Sequence, residues 1–472
     1  MTFEECELAI LRTQVDQVQK KIAKRIIQSD DLTNIIQIVE QFLKTKKLVC
    51  YGGTAINNIL PKKDQFYDKS VEMADYDFFT ANAVKDAKEL ADVYASKGFT
   101  EVEAKAGQHF GTYKVFVNFI PVADVTSIPM ELFTSLQKEA IRKDGILYAP
   151  PNFLRMSMYL ELSRPAGDTD RWEKVMKRLG LLNKSYPLTI RPCNKIQIQR
   201  DTRSIAASRQ SEVYDIIKDV FVDEGVVFFG GFAMSMYSKH IPSKIRNSSK
   251  FSDFDVISHA PEKTSDKIKA ALEARKIKKV KIIKQEPVGE LIPTHYEIVV
   301  NKDTVAFVYE PIACHSYNVI SLDREKIKVA TIDTILSFYL AFLYTDRTYY
   351  NMFLDRILCI AEFLFKIQQQ NRLAQRGVLK RFSINCYGHQ PSIEEIRANK
   401  SKMFKKLSGA RAGAEYEAWF LSYSPSGKSS KKSGKSNPKS TRTRTRTRTR
   451  TKANRLSSRS KSKSKTKKKR KP

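Results

Sequence analysis

Residues 38–53 read IVEQFLKTKKLVCYGG, and residues 216–231 read IIKDVFVDEGVVFFGG. In each stretch an apolar run ends in a glycine pair, Gly52–Gly53 or Gly230–Gly231. A carboxylate doublet begins 23 residues beyond the first glycine of each pair, Asp75-Tyr76-Asp77 or Asp253-Phe254-Asp255. Both landmarks recur at one offset of 178 residues. Solenoid units run to only a few tens of residues, so this period predicts a duplicated domain. The order of apolar runs and turns predicts an α/β (α+β) fold: a mixed sheet flanked by helices, built twice in tandem.

Working outward, apolar spacing at Leu8, Leu11, Val15 and Val18, and again at Ile35, Ile38, Phe42 and Leu43, predicts helices before the first strand, Leu48–Tyr51. The glycine pair then opens a helix, TAINNIL. A polar loop over Pro61–Ala74 leads to a strand carrying Asp75 and Asp77. A helix over Lys85–Ser96 stops at Gly98, 112–125 is strand material, and 131–143 and 151–182 read as helices. The second copy repeats this order, with a longer hairpin near Val288–Asp303 and helices from Ile332 to Gln370. From Tyr423 the chain collapses to Ser, Thr, Lys and Arg, including TRTRTRTRTRT at 441–451, a composition that predicts disorder. The expected division is therefore 1–185, 186–422 and a tail, 423–472.

The tail holds 21 Lys and Arg and no acid, which leaves the remainder with 62 basic and 51 acidic residues. The body is thus basic in its own right, as suits a polyanionic partner. The tail fits a non-specific RNA-binding arm or a localisation signal, and its hydroxyls fit phosphorylation. Six cysteines without C-x-x-C spacing indicate neither a zinc ribbon nor a disulfide framework, and so a reducing compartment. The opening MTFEECELAILRTQ is not patterned as a secretory signal, and the most apolar segment, Ile335–Tyr344, is too short to span a bilayer.

A strand sets residues i and i+2 on one face, so Asp75 and Asp77 point together. Paired carboxylates suit two hard cations, Mg2+ or Mn2+, which stabilise the attacking and leaving oxygens of a phosphoryl displacement. Asp124, closing the apolar run FVNFIPVAD, is the candidate third ligand. Gly52 and Gly53 at a helix N-terminus offer backbone N–H groups to phosphate, and Thr54 adds a hydroxyl.

In this order, Gly52-Gly53-Thr54, Asp75-x-Asp77 and Asp124 resemble the polymerase-beta-like nucleotidyltransferase superfamily. More narrowly, YGGTAIN, DYDFF and RWEKVMKRL, within residues 35–185, resemble the poxvirus-type and giant-virus poly(A) polymerase catalytic subunit. The resemblance implies a nucleotidyltransferase fold followed by a degenerate copy. It implies template-independent addition of adenylate from ATP to mRNA 3′ ends, with two metal ions on Asp75, Asp77 and Asp124. It also implies a homodimer or a processivity subunit as partner, no membrane, and action in the host cytoplasm (the viral factory) and the virion. The scant sequence before the catalytic segment and the basic tail depart from the poxvirus pattern.

The second copy is expected to be inactive. Aligning Pro121-Val122-Ala123-Asp124 with Pro311-Ile312-Ala313-Cys314 puts a thiol at the third carboxylate, and Phe232 stands where Thr54 stands. Lys105, Lys114, Arg155 and Arg171 are further candidate phosphate contacts, His109 is a candidate neighbour of the site, and Trp172 reads as core. Competing readings are a CCA-adding, uridylyl or 2′-5′ oligoadenylate enzyme, which shares the metal ligands, and a non-catalytic RNA-binding scaffold.

Overall fold

The computed structural model describes residues 30–67, 75–188, 202–240, 253–322, 324–345 and 353–425, with single positions outside these runs, among them 193, 200 and 350. Most of the first expected helix, the second half of the loop before Asp75 and nearly all of the basic tail fall outside them.

The first half supplies β1 Val49–Tyr51, β2 Tyr76–Thr80, β3 Val102–Ala106, β4 Thr112–Val117, β5 Ile120–Ser127, β6 Ile141–Lys143 and β7 Ile146–Tyr148. The second supplies β8 Val227–Phe228, β9 Phe254–Ile257, β10 Val280–Gln285, β11 His295–Val300, β12 Asp303–Tyr309, β13 His315–Leu322 and β14 Glu325–Ala330. Two short strands, β15 Cys386–Tyr387 and β16 Ser422–Tyr423, complete the set. The sheets run β16-β3-β4-β5-β2-β1-β7-β6 and β10-β11-β12-β9-β8-β14-β13-β15. Without β15 and β16 the two orders correspond strand for strand. The pairing senses also agree: β1/β2 and β8/β9 are antiparallel, whereas β2/β5 and β9/β12 are parallel. This is the duplication that the 178-residue offset predicts.

Local sequence explains the strands that matter most. In β4, TYKVFV alternates, burying Tyr113, Val115 and Val117 and leaving Thr112, Lys114 and Phe116 on the open face. Asn118 and Phe119, both at positive φ (50° and 64°), make the tight turn into β5. Tyr76 and Phe78 of β2 are buried, and the Tyr76 hydroxyl donates to Glu40 at 2.5 Å on the core side. Asp77 is thereby turned to the opposite face.

The sheets share one core. The helices Pro151–Leu162 and Ile332–Phe342 pack together between them, and every residue of the latter is buried, as its apolar composition predicts. Asp333 on that helix is neutralised by Arg381 at 2.5 Å. Four readings are corrected. The segment 131–143 splits into a helix, Met130–Glu139, and the hairpin β6/β7, and 151–182 is two helices, Pro151–Leu162 and Trp172–Ser185. Four of the cysteines do pair, Cys193 with Cys359 and Cys314 with Cys386, across separations of 166 and 72 residues that hide the pairing from sequence spacing, while Cys50 is free and buried. Tyr423, placed in the tail, is instead ordered strand, pairing with Ala104 of β3.

Candidate active site

The parallel pairing of β2 and β5 sets Asp77 directly opposite Asp124, and the antiparallel pairing of β4 and β5 sets Lys114 opposite Asp124. Asp75 precedes β2 by one residue, so its place is fixed differently from the alternation expected of it. The Thr54 hydroxyl donates to the Asp75 carbonyl oxygen at 2.6 Å. Thr54 is buried, and the hydroxyl expected to face phosphate is engaged in holding Asp75.

The glycine turn is built around these acids. Gly52 has φ +70°, and a Cβ on it would collide with the Asp77 carboxylate, so both conformation and space require glycine. The helix Gly52–Ile59 that follows has no side-chain cap, which leaves its first N–H groups to other acceptors. On the far side of the turn stand Tyr67 and Arg178, which sequence reading missed because only the tertiary fold brings them to Gly53.

The electrostatics are those of crowded like charges. Burial, then Asp75 and Asp124, push the Asp77 carboxyl up to about 7, while Lys114 and Arg171 act against them. Asp75 is raised as well, by burial and then by Asp124. The Lys114 ammonium bonds both oxygens of Asp124, at 2.7 and 2.5 Å. Among the described residues no group of three or more His, Cys, Asp or Glu side chains is gathered closely enough to cage a metal. The donor set nevertheless fits hard cations: three mutually repelling carboxylates, with an ammonium already standing on one. Sign follows for stability. A carboxyl whose folded-state pKa is raised costs stability as pH climbs from its unfolded value near 4 to about 7. Asp77→Asn should therefore be more stable than the parent in metal-free buffer at pH 8, by about 2–4 kcal/mol, with the gap closing below pH 4. Urea unfolding across that range checks it, and an unchanged gap would mean that Asp77 is not under this strain.

Other candidates divide. Arg155 is buried and donates to Asn183 at 2.6 Å, to Asn152 and to the Tyr186 carbonyl, which removes it from phosphate contact. Arg171 is exposed and pairs with Glu161 at 3.3 Å. Lys105 pairs with Glu103 on the surface, and His109 is exposed. Trp172, expected in the core, is half-buried at its edge, where it donates to the Glu161 carbonyl and packs on the exposed Phe382.

The second copy is closed by its own side chains. Arg200 bridges Asp253 (3.2 Å) and Asp255, with all three side chains buried. The residue across from Asp255 is Phe307, whose ring centre lies 4.7 Å from the Arg200 guanidinium. The alignment that put Cys314 there overshoots, because only part of the extra length lies in the β10/β11 hairpin and the helix after β5 has no counterpart after β12. Phe232 is buried against Phe228 and Phe254.

Residues 37–168 match the sequence profile of the family "Poly(A) polymerase catalytic subunit". A protein of Acanthamoeba polyphaga mimivirus described as a poly(A) polymerase catalytic subunit is 28% identical over 213 residues, covering 44% of this chain and 36% of that protein. One described likewise from African swine fever virus (strain Badajoz 1971 Vero-adapted) is 30% identical over 179 residues, covering 37% of each. The chain thus spans little more than a third of the length of these relatives. The crystal structure of the Megavirus polyadenylate synthase shares the fold, with TM-score 0.72 and 20% identity, covering 89% of this chain and 85% of that one. Residues 37–168 thus match the poly(A) polymerase catalytic subunit family, and the chain is similar in fold to the Megavirus polyadenylate synthase.

Proposed function

We propose that the chain is a template-independent polynucleotide adenylyltransferase that transfers AMP from ATP to the 3′ end of mRNA. The observation that carries this reading is the register of Asp77 against Asp124 on parallel strands, beside the Gly52 turn. The N–H groups opening the helix Gly52–Ile59 seat phosphate oxygens. Asp75, Asp77 and Asp124 would hold two Mg2+ or Mn2+ ions. Such ions, when bound, lower the pKa of an attacking hydroxyl and stabilise charge on leaving phosphate oxygens. Thr54 keeps Asp75 in place, and Lys114 shields Asp124 until it is engaged. The second copy packs and stiffens the molecule and takes no metal. RNA and ATP are the substrates in this reading, and a second copy or a processivity subunit is a partner. In this reading the expected places of action are the host cytoplasm and the virion.

Incubating the purified chain with an oligonucleotide RNA and each of the four nucleoside triphosphates separately should extend the RNA with ATP and Mg2+ alone. Extension with UTP or CTP would move the reading to a uridylyl or CCA-adding enzyme. No extension with any nucleotide would favour the scaffold.

A further inference from the structure

Gly53 lacks a side chain for a reason outside its own backbone. A Cβ there would collide with the Tyr67 hydroxyl and lie 3.0 Å from Arg178 Nη1. Arg178 Nη2 donates to Tyr67 Oη at 2.7 Å, and the guanidinium carbon lies 4.9 Å from the Phe66 ring centre. The loop carrying both aromatics is itself fixed. The Phe66 and Tyr67 N–H groups both donate to Asn57 Oδ1, at 2.8 and 2.9 Å, and Asn57 is buried in the helix Gly52–Ile59. The guanidinium is thus aimed by the Tyr67 hydroxyl and the Phe66 ring, with Nη2 engaged and Nη1 directed at the glycine turn.

Its charge has been left available. On the same helix Lys177 and Lys184 are met by Glu173 and Asp64, whereas among the described residues Arg178 meets no carboxylate at ion-pair distance. A half-buried, oriented guanidinium with no carboxylate partner among the described residues, beside uncapped helix N–H groups, is a seat for a phosphate, whose oxygens match the planar fork. The glycine pair has the Asp77 carboxylate against Gly52 and this guanidinium against Gly53. A phosphate chain lying across the pair would run from the carboxylates to Arg178.

We propose that Arg178, held by Tyr67 and Phe66, grips the terminal phosphates of the bound nucleoside triphosphate, and so makes the site prefer a triphosphate to a monophosphate. This rests on the adenylyltransferase reading, and the test separates the two. Fluorescent derivatives of ATP and AMP, titrated in Mg2+ buffer, should bind the parent with a clear preference for ATP. Arg178→Gln should weaken ATP by about 10- to 100-fold, the loss of a charge-assisted hydrogen bond, and leave AMP unchanged. Arg178→Lys should fall between, because it keeps the charge without the fork. Tyr67→Phe should weaken ATP by about threefold, since it frees the guanidinium to wander. A purely structural role would weaken ATP and AMP together and would overturn the proposal, as would an unchanged preference in Arg178→Gln. If Arg178→Gln does not fold, the Lys and Phe variants decide by the same ratio. A parent chain that binds neither nucleotide removes the adenylyltransferase reading itself, and this assignment with it.

Discussion

Asp77→Asn and Asp124→Asn are each expected to lower adenylate addition by about a thousandfold or more while leaving the chain folded. Asparagine keeps the shape of the side chain and removes the charge that a hard cation needs. The geometry makes both positions sensitive, because they face each other in register and both charges are needed to attract a cation. Asp77→Asn should be the more instructive, since it is expected to gain stability as it loses activity. Single-turnover extension of an oligonucleotide RNA, with circular dichroism as the control for folding, gives the result. Full activity in either variant would end the two-carboxylate assignment. Asp253→Asn should leave the chemical rate unchanged, because Arg200 already occupies the equivalent place.

Arg200→Met should cost about 3–5 kcal/mol of folding stability, the expected loss when one member of a buried ion pair is removed. Two buried carboxylates, Asp253 and Asp255, would then face each other with the aromatic ring of Phe307 beside them. Asp253 is already short of partners, its Oδ1 being buried and without a hydrogen-bond partner among the described residues. Burial pushes the Asp255 carboxyl upward, and Arg200 is the first influence against it. Adding Asp253→Asn and Asp255→Asn to Arg200→Met should restore most of the loss, which denaturant unfolding at pH 7 would show. An Arg200→Met chain as stable as its parent would mean that the guanidinium is not what holds the second site shut.

Much of this was legible in the residues. The glycine pairs and carboxylate doublets gave the duplication, because a tight turn and a buried strand leave strong local marks. Asp124 was legible as the acid ending a strongly apolar run, and the alternation in β4 and β5 then put it on the open face. Arg200 and Tyr67 were not, since nothing local distinguishes them, and Arg178, although it lies within RWEKVMKRL, reaches the glycine turn only through the tertiary fold. The role of Thr54 was misread for a related reason: a hydroxyl at a helix start reads as a ligand donor until a nearby carbonyl is seen to take it. Phe307 was missed because the two copies differ in loop length between the doublet and the third position. Register, rather than counting, identifies it.

The return of the chain to the first sheet has a practical consequence. β16 pairs along β3, the Ala106 N–H donates to the Leu421 carbonyl, and the Tyr113 hydroxyl donates to the Ala418 carbonyl at 2.7 Å. An excised fragment ending near residue 188 would keep all three acids yet bare the outer edge of β3, a template for pairing with other chains. Such a fragment is expected to self-associate through this edge and through the helix Pro151–Leu162, which loses its partner Ile332–Phe342, so residues 393–425 supplied as a separate peptide should reduce the association without abolishing it.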